Sequence, residues 1–113
     1  MERAITTAVV LPTYNEADNL TELVQALLAL PNDLTVIVVD DNSPDGTGEL
    51  ADHLARQTGR VLVRHRPGKL GLGTAYVEGF RTALAHGAQR IVTMDADFSH
   101  HPRYLPNVIA LTE

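Results

Sequence analysis

The protein has 113 residues, of which 44% are hydrophobic and 20% are charged, and this composition predicts one globular domain with a modest core. Its formal net charge of −5 argues against a duplex nucleic-acid partner, because nucleic-acid-binding faces are basic. The absence of cysteine excludes disulfides, thiolate nucleophiles and cysteine-ligated zinc. Apolar runs such as residues 36–39 have the length of strands, far below the roughly 20 residues of a membrane-spanning helix, so we expect no transmembrane segment and no signal peptide.

The first part of the chain predicts a strand, a helix and a second strand. Residues 5–11 are β-branched and apolar and predict a buried strand that Pro12 closes. Asn15 is then the expected helix N-cap, with Asp18 three residues later. Leucine and valine residues follow at helical spacing and predict one apolar face; they are Leu20, Leu23, Val24, Leu27 and Leu28. Residues 34–39 predict the second strand, and the sequence DDNSPDG at 40–46 predicts a turn.

The second part repeats this alternation. A helix is predicted to end near Gly59, and a short strand follows over residues 60–63. After a glycine-rich segment at 65–73, a third helix is predicted from Thr74, with Gly87 as its C-cap. Its expected apolar face consists of Tyr76, Val77, Phe80, Ala83 and Leu84. Residues 89–94 predict a fourth strand, and Pro102 can open a last helix.

Strands that alternate with helices predict an α/β fold with a parallel sheet and helices on both of its faces. Right-handed crossovers bring the carboxyl end of every strand to one edge, where open α/β sheets bind ligands. We therefore expect residues 12–16, 40–46 and 95–97 to line one crevice.

The carboxylates of Asp95 and Asp97 lie two residues apart, directly after a hydrophobic strand. Such a pair can share a divalent cation, Mg²⁺ or Mn²⁺, that also binds phosphate oxygens. The alternative is two acids in a solvated turn. His100 and His101 are expected to form a wall or a cap rather than a metal shell.

Asp40 and Asp41 end another strand, where an acid can accept hydrogen bonds from a ribose or a base. The alternative is turn nucleation; we expect Asp40 to orient the turn and Asp41 to contact the ligand. Tyr14 can stack on a nucleobase and Glu16 can bind a ligand, although both are equally consistent with a plain helix start.

The segment KLGLGT at 69–74 fails the P-loop pattern and lacks the third glycine of the dinucleotide fingerprint, so a plain helix entry is favoured. The alternative is a flexible loop over a ligand, to which Lys69 offers its charge. Three arginines, Arg64, Arg66 and Arg103, are interpreted as solvated, with contact to an anionic ligand as the alternative. Three further residues, Tyr76, Phe80 and Met94, are interpreted as core.

Four motifs stand in one order: LPTYNE at 11–16, VDDNSPDGT at 39–47, KLGLGTAY at 69–76 and MDADFSHHP at 94–102. Together they resemble the family 2 glycosyltransferases and, more narrowly, the dolichol- or polyprenol-phosphate mannosyltransferases. The resemblance implies a GT-A fold and metal-dependent, inverting transfer of mannose from GDP-mannose to a polyisoprenyl (dolichyl) phosphate. It also implies a peripheral location on the cytoplasmic face of a membrane, with any membrane-anchoring segment or subunit outside this chain.

The resemblance assigns roles residue by residue. It implies nucleotide contacts by Pro12, Tyr14, Glu16, Val39 and Asp41. It implies donor contacts by Asp95, Ala96 and Asp97, with Asp95 and Asp97 on Mg²⁺ or Mn²⁺ and Asp97 catalytic. Some relatives have glutamine where Ser99 stands, so Ser99 is left out of the metal set.

Family members are about twice this length or more, so residues 1–113 are expected to be the N-terminal, nucleotide-sugar-binding part of a truncated domain. The basic groups for the donor diphosphate and the acceptor phosphate are expected in the missing half, and the fragment alone is not assumed to be active.

Three alternative functions can be compared with the sequence. A family 2 transferase that uses a UDP-sugar is the nearest. A phosphoacceptor receiver domain shares the length and the acids at strand ends, but its acidic pair follows the first strand, where Pro12 and Thr13 stand here. An NAD-dependent oxidoreductase lacks its fingerprint.

Overall fold

A computed structural model of the protein describes residues 6–31, 33–68 and 70–94. The strands in these ranges are β1 (Thr7–Thr13), β2 (Leu34–Asp40), β3 (Val61–His65) and β4 (Arg90–Thr93). The helices are α1 (Ala17–Leu28), α2 (Thr47–Thr58) and α3 (Leu72–Ala85). The predicted alternation is confirmed as far as β4, whereas the helix predicted from Pro102 lies outside the described residues.

The four strands form one parallel sheet in the order β3-β2-β1-β4. The chain moves outward from β1 to β3 and then crosses back to the other side of β1. The strand order therefore reverses between β1 and β4, and the carboxyl ends at such a switch point are where open α/β sheets bind ligands.

Helices cover both faces of the sheet, as predicted. On one face α1 and α2 pack through Leu23, Leu27 and Leu54 onto Val9 and Val36. On the other face α3 packs against the sheet in a second cluster. Ala75 and Ala83 of α3 contribute to this cluster together with four strand residues, Ala8, Val10, Ile37 and Val39. Successive residues of β1 thus enter opposite cores, as expected for a strand buried on both faces.

β1 continues one residue past the proline that was predicted to close it. It pairs with β2 from Thr7 to Thr13, but with β4 only from Thr7 to Val10. Backbone groups of a strand point alternately to its two neighbours: Thr13 O accepts from the β2 side and Val10 O from the β4 side. By this alternation the nitrogen of Pro12 faces β4, so its missing N–H removes nothing from the β1–β2 ladder.

The predicted core face of α3 is wrong in part. Ala83 is fully buried and Tyr76 is half-buried against the core, as expected. Leu84 is 64% exposed, Val77 45% and Phe80 37%, although all three were expected to be buried. The side of α3 that faces the sheet carries small residues, namely Ala75, Gly79, Thr82 and Ala83. A Cβ on Gly79 would lie 2.2 Å from Val10 Cγ1, so the helix backbone is too close to β1 for large side chains. The large apolar residues consequently point outward.

The predicted end of α2 at Gly59 is confirmed, whereas the C-cap of α3 is His86 and Gly87 is the residue after it. Gly59 follows α2 with φ +68°, in the left-handed region that glycine adopts without a Cβ penalty. Gly87 has φ +79°, and its N–H donates to Leu84 O, while the N–H of Ala88 donates to Ala83 O. These two bonds form a Schellman motif that satisfies the last carbonyls of α3.

Candidate functional site

Two of the three predicted segments meet at the carboxyl edge of the sheet. The N–H of Asp41, after β2, donates to Thr13 O at 3.1 Å, and the N–H of Asn15, after β1, donates to Ser43 Oγ at 3.0 Å. Met94 follows β4 and donates its N–H to Val10 O at 3.1 Å, which places it beside β1. The third segment, residues 95–97, comes directly after Met94 in the sequence and lies outside the described residues.

Asp40 organises this edge from within. Only 1% of the residue is exposed, and its carboxylate accepts hydrogen bonds from Thr13 Oγ1 at 2.8 Å, Ser43 Oγ at 2.6 Å and the Ser43 N–H at 3.1 Å. Hydrogen bonds to an ionised acceptor are among the stronger ones in proteins. Asp40 therefore orients the turn, as predicted. A Cβ on Gly48 would lie 3.0 Å from Asp40 Oδ2, so α2 needs a small residue where it passes this carboxylate.

Asn15 does not cap α1, contrary to the prediction. The N-cap position is Glu16, which makes no side-chain cap, and Asn15 adopts φ +56° in the left-handed region. Asparagine is one of the few residues that tolerate this conformation. It lets the chain turn sharply between β1 and α1 and aims the N–H of Asn15 at Ser43.

The start of α1 is capped instead by Asp45, in the loop after β2, and by Thr47, the first residue of α2. The N–H of Glu16 donates to Thr47 Oγ1 at 3.0 Å, and that of Ala17 donates to Asp45 Oδ2 at 3.1 Å. Asp45 also accepts from the hydroxyl and the N–H of Thr47, and the hydroxyl bond is the main cause that lowers the pKa of Asp45 below 3.8. Because the protein itself occupies these amides, the N-terminus of α1 does not offer them to a phosphate.

Arg66 is not solvated, contrary to its interpretation from the sequence. Its Nε donates to Asp41 Oδ1 at 2.6 Å and its Nη2 to Asp41 Oδ2 at 2.9 Å, and both side chains are only 9% exposed. The hydrogen bond that Arg66 donates to the Asp41 carboxylate raises the pKa of Arg66. Asp40 at the end of β2 is the register partner of His65 at the end of β3. The residues that follow these two strands, Asp41 and Arg66, therefore lie opposite each other. That register was not readable from the sequence.

Arg66 also reaches the glycine-rich segment. Its Nη1 donates to Thr74 Oγ1 at 2.9 Å and its Nη2 to Gly71 O at 3.3 Å. α3 begins at Leu72, two residues earlier than predicted, and Gly71 precedes it with φ +103°. The segment is therefore a helix entry, as favoured from its spacing. A groove of about 500 Å³ lies beside it, lined by Arg66, Thr74 and Arg81 among others.

The predicted nucleotide contacts differ in how they are presented. Tyr14 is 38% exposed just past β1, and Pro12 and Glu16 are half-buried. Asp41 is 7% exposed and paired with Arg66. Val39 is fully buried in the α3-side core, so only its main chain is left to meet a ligand.

The predicted metal residues Asp95 and Asp97 lie outside the described part of the chain, as do Ala96, Ser99, His100 and His101. Among residues 6–31, 33–68 and 70–94, no three histidine, aspartate or glutamate side chains are grouped to hold a metal ion. Three of the acids described at the edge accept hydrogen bonds from protein donors; they are Asp40, Asp41 and Asp45. Each of these three carboxylates therefore already has a partner within the described part of the chain.

No helix in the described ranges combines the length and the apolar character needed to cross a membrane.

Sequence comparison identifies relatives of known name. The chain is 47% identical over 104 residues to the polyprenol monophosphomannose synthase of Mycolicibacterium smegmatis, a match that covers 91% of the chain and 39% of that protein. It is 46% identical over 100 residues to the undecaprenyl-phosphate mannosyltransferase of Micrococcus luteus, which covers 88% of the chain and 41% of that protein. The chain thus spans about two fifths of the length of these curated relatives.

Solved structures share the fold. The mannosyltransferase PcManGT from Pyrobaculum calidifontis, solved with GDP-Man and Mn²⁺, matches with a TM-score of 0.63 and 29% identity over 84% of this chain and 28% of that chain. TarS from S. aureus, solved with UDP, matches with a TM-score of 0.68 and 26% identity over 82% of this chain and 28% of that chain. The parallel sheet is therefore of the GT-A type. The sequence profile described as Glycosyl transferase family 2 matches residues 8–113, and the chain belongs to this family.

Proposed function

We propose that the protein is part of an enzyme that transfers mannose from GDP-mannose to a polyprenyl phosphate, with inversion at the sugar and with the help of a divalent cation. The observation that carries this proposal is the identity of 46–47% to two polyprenyl-phosphate mannosyltransferases, sustained over about nine tenths of the chain. The Mn²⁺ and GDP-Man complex of PcManGT supports the choice of donor and of cofactor class.

The described edge supplies groups suited to a nucleoside. Tyr14 is exposed and directly follows Thr13, whose carbonyl accepts a hydrogen bond from the N–H of Asp41. A tyrosine ring can stack on a base, and a fixed carboxylate can accept hydrogen bonds from a ribose or a base N–H. Pro12, Glu16 and the main chain of Val39 would complete the wall of this half-site.

Asp95 and Asp97 would hold the metal, Mg²⁺ or Mn²⁺, together with the donor diphosphate. When bound, the ion neutralises the diphosphate and makes GDP a better leaving group. Asp97 is proposed as the catalytic residue because, together with Asp95, it would hold this ion at the departing diphosphate. Asp95 and Ala96 would border the donor at the same strand end.

The acceptor explains why no general base is assigned. A phosphate monoester has a second pKa of about 6, so its attacking oxygen is already largely anionic at neutral pH. In-line attack from the face opposite GDP then inverts the anomeric centre. Because a polyprenyl chain resides in a bilayer, the complete enzyme would work at a membrane surface, and the family resemblance favours the cytoplasmic face.

A UDP-sugar is the second candidate donor. It is favoured by TarS, which shares the fold at 26% identity and was solved with UDP. The two candidates differ in the base and in the sugar but use the same diphosphate and the same pair of carboxylates.

Transfer of labelled mannose by the full-length protein to a polyprenyl phosphate tests the proposal. We expect Asp97→Ala to abolish the transfer, and added Mn²⁺ should not restore it. A matched control is Asp18→Ala, which removes an exposed acid in the first turn of α1 and should leave transfer unchanged. If transfer and Mn²⁺ dependence both survive in Asp97→Ala, the metal role is wrong. Transfer of glucose but not of mannose by the unaltered protein would favour the UDP-sugar alternative.

A further inference from the structure

Arg66 joins two parts of the edge that the sequence keeps apart. The main-chain N–H of Arg66 donates to Asp40 O at 2.8 Å, which extends the pairing of β2 and β3 past the end of β3. This contact holds the backbone of Arg66 level with Asp41. Its side chain can then reach Asp41 on one side and the entry to α3 on the other.

The ion pair with Arg66 fixes the orientation of the Asp41 carboxylate but uses only part of its hydrogen-bonding capacity. A carboxylate oxygen has two lone pairs, and the guanidinium fork uses one on each oxygen of Asp41. The planar fork allows one orientation of the carboxylate, whereas a solvated aspartate rotates. The remaining lone pairs keep their capacity to accept hydrogen bonds from a ligand.

The same guanidinium restrains the glycine-rich segment. Arg66 Nη1 donates a hydrogen bond to Thr74 Oγ1, and Arg66 Nη2 donates one to Gly71 O. Gly71 has φ +103°, a conformation that an unrestrained glycine exchanges readily with others. The guanidinium thus ties the start of α3 to the carboxylate that ends β2.

We propose that Arg66 is a positioning residue that acts through Asp41: it orients this carboxylate for the nucleoside and at the same time fixes the entry to α3. The proposal rests on the proposed function, because it takes Asp41 as a nucleoside contact. On this proposal, the affinity for the nucleotide and the rigidity of residues 70–75 both depend on the side chain of Arg66, which lies outside the four sequence motifs.

A double-mutant cycle on the full-length protein tests whether Arg66 acts through Asp41. The dissociation constant of GDP with Mn²⁺ is measured for Arg66→Gln, for Asp41→Asn and for the double variant. We expect Arg66→Gln to weaken binding about tenfold in the original background and less than about twofold when Asp41 is already asparagine. Arg81→Gln is the matched control, because Arg81 is an exposed arginine that lines the same groove. It should bind GDP as the unaltered protein does.

Arg66→Lys keeps the charge but cannot form the fork, so it covers the case in which Arg66→Gln does not fold. We expect weaker GDP binding and faster amide hydrogen exchange at residues 70–75 than in Arg81→Lys, with exchange in β1 unchanged. Unaltered GDP affinity in either Arg66 variant overturns the proposal. Equal weakening in both backgrounds also overturns it, since Arg66 would then touch the nucleotide itself. If the unaltered protein binds no GDP, the proposed function fails, while the exchange experiment still decides whether Arg66 fixes the α3 entry.

Discussion

Substitution of Gly79 by alanine probes the contact that seats α3 on the sheet. An added Cβ would lie 2.2 Å from Val10 Cγ1 and 3.1 Å from Val10 Cγ2, both well inside van der Waals distance. Val10 is fully buried on β1, a central strand of the sheet, and its branched side chain has few alternative rotamers. Neither partner can give way locally, so the helix must shift away from the sheet.

The expected free-energy change combines two opposing terms. Overpacking of a dense core costs about 1–3 kcal/mol, and a contact this short belongs at the upper end. Alanine is better than glycine in a helix by about 1 kcal/mol. Gly79→Ala should therefore lower the free energy of unfolding by about 2 kcal/mol. When Val10→Ala has already removed both Cγ atoms, the close contact that remains is with the Cβ of residue 10 at 3.2 Å, which a shift of a few tenths of an ångström relieves. The helix term then outweighs the steric term, and Gly79→Ala should raise the free energy of unfolding by up to about 1 kcal/mol.

Urea unfolding followed by far-ultraviolet circular dichroism on the four proteins of this cycle measures both values. A reversal of sign between the two backgrounds is the predicted result. If Gly79→Ala costs the same in both backgrounds, the steric argument is refuted. Stabilisation in the original background would show that α3 is not seated as described.

Two further predictions concern stability. The pKa of Asp45 lies below 3.8, so its charge stabilises the folded state above that pH, and this contribution is lost as the pH falls through the lowered pKa. The Tm difference between the original protein and Asp45→Asn should thus shrink as the pH drops below 3.8; a constant difference in a pH series of thermal melts would contradict this. Gly59 has φ +68° and open space around its Cβ position, so Gly59→Ala should cost about 1 kcal/mol from backbone strain alone. Gly59→Asn should cost less in the same urea titration, and an equal cost would count against strain as the cause.

The fold was predictable because its signals are local and repeated. The apolar run at residues 34–39 and the helical spacing of Leu20, Leu23 and Leu27 each allow one kind of element, and their alternation implies a parallel sheet. The crevice between the segments after β1 and β2 then followed from handedness alone.

The errors arose where tertiary contacts decide. Val77 and Leu84 predict a core face by size, but the backbone of α3 lies so close to Val10 that only small residues fit beneath it. Asn15 has the chemistry of an N-cap, yet the cap of α1 comes from Thr47 and Asp45, about thirty residues later in the chain.

Arg66 illustrates the same limit at the site. An arginine at the end of a short strand is solvated by default, and only the register of β2 with β3 brings it to Asp41. The roles of Asp95 and Asp97 stay predictions, because they rest on the motif and on the family rather than on described geometry.

Donor binding tests the central claim most directly. The thermal stability of the full-length protein is compared with GDP-mannose, UDP-glucose and UDP-GlcNAc, each with Mn²⁺ and with a chelator. A ligand present at 100 times its dissociation constant stabilises the folded state by about 2.7 kcal/mol, which a thermal melt resolves. We predict the largest rise in Tm with GDP-mannose and its loss when the metal is chelated. A larger rise with either UDP-sugar, or none with GDP-mannose, would contradict the assignment.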